Sequence, residues 1–359
     1  MVDPRQVMNF RVRAQQLDRT AGTLARTAVL DIGVQDTGPD GGGWALALRG
    51  AKVDAKDLVL LWTVRGAPHL YRRADAGQVA LAVEPYSDVD AGKRIFDASK
   101  PLKAAGIANL DALDEVAKQM RAIVTRPTVK GDVSTRLTKV MSEPYLRYCR
   151  ACQATHLYEQ PFRLAAFRGG LELQPDTSPP VLQRIPGFKK ATRASEKFDL
   201  VRGYLRLLGP ATPKQVAEFI DAPVKEVQAR WPEDVVEVVV GREKRSLLAA
   251  DEEALDTVEA RVTRLLGPYD LFLQARDRST IVPDAAHAKE LWPVLGRPGA
   301  VLVDGELVGS WRPRQSGKSL RVAVRPWRKL STTVHKGVTE QAERLAAYRG
   351  VSLGGVDLG

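Results

Sequence analysis

Apolar positions along this chain recur mostly at helical spacing, interrupted by short runs at strand spacing. Val7, Phe10, Ala14 and Leu17 follow Asp3-Pro4, a capping residue with a first-turn proline, and predict an opening helix. Leu24, Val29 and Ile32 predict a second over 23–35. Gly38-Pro39-Asp40-Gly41-Gly42-Gly43 then reads as a loop, since proline and clustered glycines do not continue a helix. Leu58, Leu61 and Trp62 predict a helix opened by Asp54, passing into an extended segment over 63–71 that Pro68 places near an edge. Between 101 and 185, helices are expected from Asp111 through Ile123, over 131–141 and over 143–152, with short strands over 156–159 and 170–173.

The clearest local signal comes next. Leu200, Tyr204 and Leu207 mark a helix closed by Gly209-Pro210, and Thr212-Pro213 caps and opens another carrying Val216 and Phe219. Asp221-Ala222-Pro223 turns into a third through Val227 and Trp231. The β-branched run 235–240, a charged tip over 241–245 and a return run over 246–250 predict a hairpin. Three helices and a hairpin with a basic tip form the winged-helix pattern, in which the third helix suits a major groove and the tip a phosphate backbone. Winged helices also serve as protein–protein modules, so this pattern alone leaves the partner open. In the last segment Asp304-Gly305 predicts a hairpin turn, a second hairpin is expected around Gly317-Lys318, a helix over 333–348, and a frayed end over 354–359.

A length of 359 residues fits two to four domains, and 44% apolar with 27% charged residues excludes a disordered or collagen-like chain. No apolar run nears eighteen residues and no apolar block precedes a small-residue cleavage site at the start, so neither a helical membrane span nor a secretory signal is expected. Two cysteines cannot build a disulfide framework, which points to a reducing cytoplasmic setting, at the nucleoid in a bacterium.

Net charge is +11, from 54 basic and 43 acidic residues, and its distribution matters more than its size. Arg312, Arg314, Lys318, Arg321, Arg325, Arg328, Lys329 and Lys336 follow one another with no acid between them. Between Arg121 and Arg150 seven basic residues face only Asp132 and Glu143. One-signed stretches attract phosphates because interleaved charges cancel beyond about one Debye length, roughly 8 Å at physiological salt.

Candidate chemistry is sparse. No Walker loop, dinucleotide fingerprint or HExxH occurs, so nothing points to a cofactor, nucleotide hydrolysis or zincin proteolysis. Cys149, Cys152 and His156 have the look of a zinc or redox fragment. On a helix they would share one face, which is equally a core stripe, and no fourth ligand is evident. Buried thiols are therefore expected, and no metal.

Gly33-Val34-Gln35-Asp36-Thr37, Arg65-Gly66-Ala67-Pro68-His69, Gly209-Pro210-Ala211-Thr212-Pro213, Tyr269-Asp270-Leu271-Phe272 with Arg276-Asp277-Arg278, and Val301-Leu302-Val303-Asp304-Gly305 with Val308-Gly309-Ser310-Trp311-Arg312 occur in that order. In this order they resemble the AlkZ/YcaQ-type superfamily of tandem winged-helix proteins, whose characterised members are DNA glycosylases acting on alkylated or crosslinked bases. The resemblance implies an α+β fold of tandem winged-helix domains: an N-terminal one over 1–100 carrying Gln35, a second over 101–185, a third over 186–255, and a C-terminal mixed α/β domain with hairpins over 256–359.

It also implies a partner, double-stranded DNA bearing an alkylated or crosslinked base, and a site. Family members place Gln, any residue, then Gln or Asp after a glycine–apolar pair. Here Gln35 matches the first position, Thr37 stands at the second, and Asp36 lies between. Gln35, Asp36 and Thr37 are thus the catalytic candidates, and Arg65, His69, Arg242, Lys244 and Arg245 the DNA-contacting ones. Two activities remain open: a monofunctional glycosylase with water held at Gln35, and a non-catalytic DNA-binding regulator or lesion-recognition module.

Overall fold

The protein is described by a computed structural model covering residues 1–38 and 40–359. It is mixed α/β, and it divides into two compact units, neither continuous in sequence. The first comprises 1–53, 202–215 and 232–359; the second comprises 54–201 and 216–231. The four consecutive segments read from the sequence do not coincide with these units. The third in particular is divided, with residues 216–231 in one unit and its hairpin in the other.

The first unit is built on a five-stranded sheet ordered Thr263–Leu266, Gly299–Val303, Glu306–Ser316, Ser319–Pro326 and Ser352–Leu358. Its first four strands pair antiparallel and the last runs parallel. The turn at Asp304-Gly305 has both residues at positive φ, 48° and 85°, as a tight hairpin requires. The helix Thr332–Tyr348 turns Val338, Ala342, Leu345 and Ala346 inward, and Trp44 of the helix Gly41–Leu48 donates its indole to the Leu265 carbonyl at 2.8 Å. The opening helix Pro4–Ala14 starts in the capping box of Asp3 and Gln6, and its Phe10 packs with Leu247 and Leu255. Leu247 belongs to the separate hairpin Val235–Val240 with Glu243–Leu248.

In the second unit the strands Pro68–Arg72, Leu58–Trp62, Leu171–Leu173, Val181–Arg184 and Thr128–Val129 pair antiparallel in that order. Val59, Leu61, Tyr71, Val79 and Phe167 form the core over this sheet. A small hairpin, Leu146–Cys149 with Ala154–Leu157, stands as a separate pair.

Several expected elements differ. Residues 23–35 form two 3₁₀ turns and a short strand, Val34–Gln35, because Thr27, Val29 and Ile32 carry β-branched side chains and Gly33 turns to φ 92°. Leu58–Trp62 is a strand with all five residues buried, so helical periodicity had nothing to distinguish it from a strand covered on both faces. Gly41 and Gly42 open a helix, with the orphan amide of Gly42 satisfied by Asp36; Pro39 of that stretch lies outside the described residues. The stretch 143–152 gives a strand and turn in place of a helix, and the C-terminal residues form the edge strand Ser352–Leu358.

Candidate functional site

Val34–Gln35 is extended, so Gln35 and Thr37 share a side. Gln35 Nε2 donates to Thr37 Oγ1 at 3.1 Å. Asp36 turns to the neighbouring helix, where its Oδ1 accepts from the Gly42 amide at 2.7 Å. A side chain at Gly41 would place its Cβ 2.0 Å from that carboxylate oxygen, and Gly41 also sits at φ 36°, so both room and backbone demand glycine there. Asp36 is thereby committed to the N-terminus of the helix Gly41–Leu48, where a negative charge is favoured.

Asp40, beyond the loop, is gripped by Arg349. Arg349 Nε donates to Asp40 Oδ1 at 2.6 Å, its Nη2 donates to Oδ2, and its Nη1 donates to Gln315 at 3.0 Å. The loop carrying Gln35 is therefore fastened at its far end to the strand Glu306–Ser316. A cavity of about 250 Å³ opens beside it, with Thr37, Asp40, Tyr269, Arg297 and Arg312 among its walls. The Arg297 guanidinium lies 5.4 Å over the Tyr269 ring. Gln35 itself is only 9% exposed, whereas Thr37 is half-buried and faces the cavity.

Arg312 begins the acid-free basic stretch, and all eight of its cations are exposed. They decorate the long hairpin Glu306–Ser316 with Ser319–Pro326, and the turn and helix beyond it. Arg321 and Arg328 pair with Asp357 and Glu306, but these pairs are open to solvent, so a phosphate can compete for the same cations. The sequence flagged this stretch by charge; that it adjoins Thr37 depends on the fold.

The five residues expected to contact DNA are distributed differently. Arg242 and Lys244 are exposed at the tip of the 235–248 hairpin, with Lys244 2.8 Å from Glu237. Arg245 is a correction: strand alternation turns it inward, where it is 6% exposed and bonds Asp277 at 2.6 Å and Glu243 at 2.7 Å. His69 is a second correction, 2% exposed inside the second unit. Its Nδ1 donates to the Ala67 carbonyl at 2.9 Å and lies 3.1 Å from Thr63 Oγ1. Burial, helped by the charge of Arg65, lowers its pKa to about 3, so the ring is neutral. Arg65, at φ 59°, is half-buried with its guanidinium 5.0 Å over Phe219 and donates to the Phe219 carbonyl. Its charge is taken up within the protein.

The three residues of the cysteine motif lie on the small hairpin of the second unit. None is buried: Cys152 is exposed, and Cys149 and His156 are half-buried.

A helix-and-sheet scaffold that holds an amide–hydroxyl pair beside a cationic hairpin defines a protein suited to a polyanion. The family described as DNA glycosylase AlkZ-like matches residues 45–348, and the chain belongs to this family. The match begins after Gln35–Thr37, so family membership stands independently of that loop. Among solved structures, Streptomyces sahachiroi DNA glycosylase AlkZ is similar in fold, with a TM-score of 0.73 over 99% of each chain at 21% identity. No curated protein sequence matches the chain.

Proposed function

We propose that this protein is a monofunctional DNA glycosylase that excises alkylated or crosslinked bases, with Gln35 and Thr37 positioning the attacking water. The observation that carries the reading is the joint placement of Thr37 and Arg312 on one cavity, with Thr37 tied to Gln35.

An N7- or N3-alkylated purine is already cationic. When its C1′–N bond breaks, the electron pair leaves with the base and neutralises it, so little acid assistance is needed. The sugar becomes oxocarbenium-like, water bonds to C1′, and that water releases a proton to solvent. A neutral amide suffices to orient this water: Gln35 is fixed through its Nε2 on Thr37, and an amide oxygen can accept from the nucleophile. The Thr37 hydroxyl, accepting from Gln35, can donate its own proton to a second oxygen in the cavity. Asp36 acts through position, anchoring the helix that follows the loop. The exposed hairpin cations supply the phosphate grip that either base extrusion or recognition of a bulky lesion requires. Arg242 and Lys244, exposed at the tip of the 235–248 hairpin, suit contact with a phosphate backbone.

The test is incubation with duplexes carrying N7-methylguanine or a crosslinked base, followed by alkaline cleavage of abasic sites. Strand scission that disappears in Gln35→Ala supports the assignment. Scission at background level, equal in the parent and Gln35→Ala, overturns it. The bond from the Gly42 amide draws the Asp36 carboxylate toward the neighbouring helix, which favours a second reading, a non-catalytic DNA-binding module. Salt-dependent duplex binding without scission would select that reading.

A further inference from the structure

The hairpin Leu146–Cys149 with Ala154–Leu157 carries a group of side chains that the proposed glycosylase reaction does not use. Arg147 pairs with His156 across the ladder and Cys149 with Ala154, so Cys149 and His156 stand diagonally on one face. Gln153, at φ 51°, closes the tip that brings Cys152 back toward them. The two Sγ atoms and a ring nitrogen of His156 all lie within 4.8 Å of one another. Around a tetrahedral zinc, with Zn–S near 2.3 Å and Zn–N near 2.0 Å, ligand atoms stand roughly 3.5 Å apart, within reach of small side-chain rotations at an exposed tip.

The imidazole is already oriented for ligation. His156 Nδ1 lies 2.7 Å from the Leu157 carbonyl, and because a carbonyl only accepts, Nδ1 bears the proton and Nε2 the lone pair. A backbone carbonyl that fixes the tautomer in this way is the usual outer support of a metal-binding histidine. None of the three side chains is buried, so the sulfurs are not there to fill a core. A two-stranded hairpin with four residues on each side is marginal by itself, and a metal held across its tip adds a tie that the backbone ladder does not supply.

We propose that Cys149, Cys152 and His156 bind one zinc ion, which clamps the tip of this hairpin. Two thiolates and one imidazole form a borderline-soft donor set that selects zinc over magnesium or calcium. Two thiolates also neutralise the dication. Water occupies the fourth position.

The full-length protein, reduced and stripped with a chelator, is titrated with cobalt(II) and then with zinc. The expected result is a thiolate-to-cobalt charge-transfer band that saturates at one equivalent and is displaced by equimolar zinc. Cys149→Ser and Cys152→Ser weaken binding by more than about 100-fold, and His156→Ala weakens it at least tenfold while removing the tetrahedral visible bands. Amide exchange over 146–157 slows on zinc addition to the parent, a readout that needs no variant. A reduced protein without the charge-transfer band, an affinity unchanged in His156→Ala, or a cysteine pair recovered as a disulfide under the same reducing conditions overturns the proposal.

Discussion

Arg49 and Asp270 form a two-bonded ion pair, at 2.8 and 2.9 Å, with neither side chain exposed. The remaining Arg49 donors go to the carbonyls of Gln15 and Ala45 and to Gln15 Oε1, so every N–H of the guanidinium is used. Asp270 also borders the cavity beside Thr37. Arg49→Met leaves a buried carboxylate without its counter-charge and is expected to cost about 3–5 kcal/mol. Arg49→Met with Asp270→Leu is expected to cost less than the two single losses added together. Urea unfolding of the four proteins measures the coupling.

Single-turnover kinetics on a methylated duplex resolve the roles within the loop. Gln35→Ala is expected to slow base release by about 100-fold or more, the scale of removing one preorganised polar contact to a transition state. Thr37→Val keeps the shape but releases the amide, and is expected to fall between this variant and the parent. Each is expected to cost no more than about 1–3 kcal/mol of stability, the scale of one buried polar group left unpaired, so both stay folded in the assay. Asp36→Ala is expected to lower stability by about 1 kcal/mol, as loss of a helix N-terminal acceptor does.

Salt titrations separate surface cations from interior ones. Arg314→Ala and Lys318→Ala, at the exposed end of the long hairpin, are each expected to reduce the salt slope of duplex binding by about 0.9. Arg245→Ala is expected to leave that slope unchanged and to lower stability, because it strips Asp277 of a buried partner. Equal slope changes in all three variants would contradict this division.

His69 makes stability depend on pH. Its folded pKa is lowered to about 3, while the unfolded ring titrates near 6.5. Between these values the unfolded chain binds a proton that the folded one refuses, so stability is lost as pH falls below about 6.5. Above that, the histidine contributes no pH dependence. By pH 5 the expected loss is about 2 kcal/mol relative to pH 8. His69→Asn, which retains a donor toward Ala67, is expected to flatten the profile between pH 5 and 6.5 in chemical unfolding.

Elements with strong local chemistry were legible in the sequence: the capping Asp3 with its first-turn Pro4, the Asp304-Gly305 turn, the helices closed by Gly209-Pro210 and opened by Thr212-Pro213. Leu58–Trp62 was not, because a strand buried on both sides has no periodicity to display. The direction of Arg245 follows from alternation along its strand once the hairpin register is known; its basic neighbours concealed it. Gln35, Asp36 and Thr37 came from resemblance, and the extended backbone accounts for why the amide and hydroxyl meet while the carboxylate turns away. The Arg349 grip on Asp40 had no local signal, since 309 residues separate the two.

That separation bears on how the molecule is made. Translation proceeds in one direction, so the segment bearing Gln35 leaves the ribosome long before residue 349 exists. Its loop waits, lacking the guanidinium that fastens it, until residue 349 has been synthesised. A polypeptide that stops short of Arg349 thus carries the Gln35 loop without its fastening.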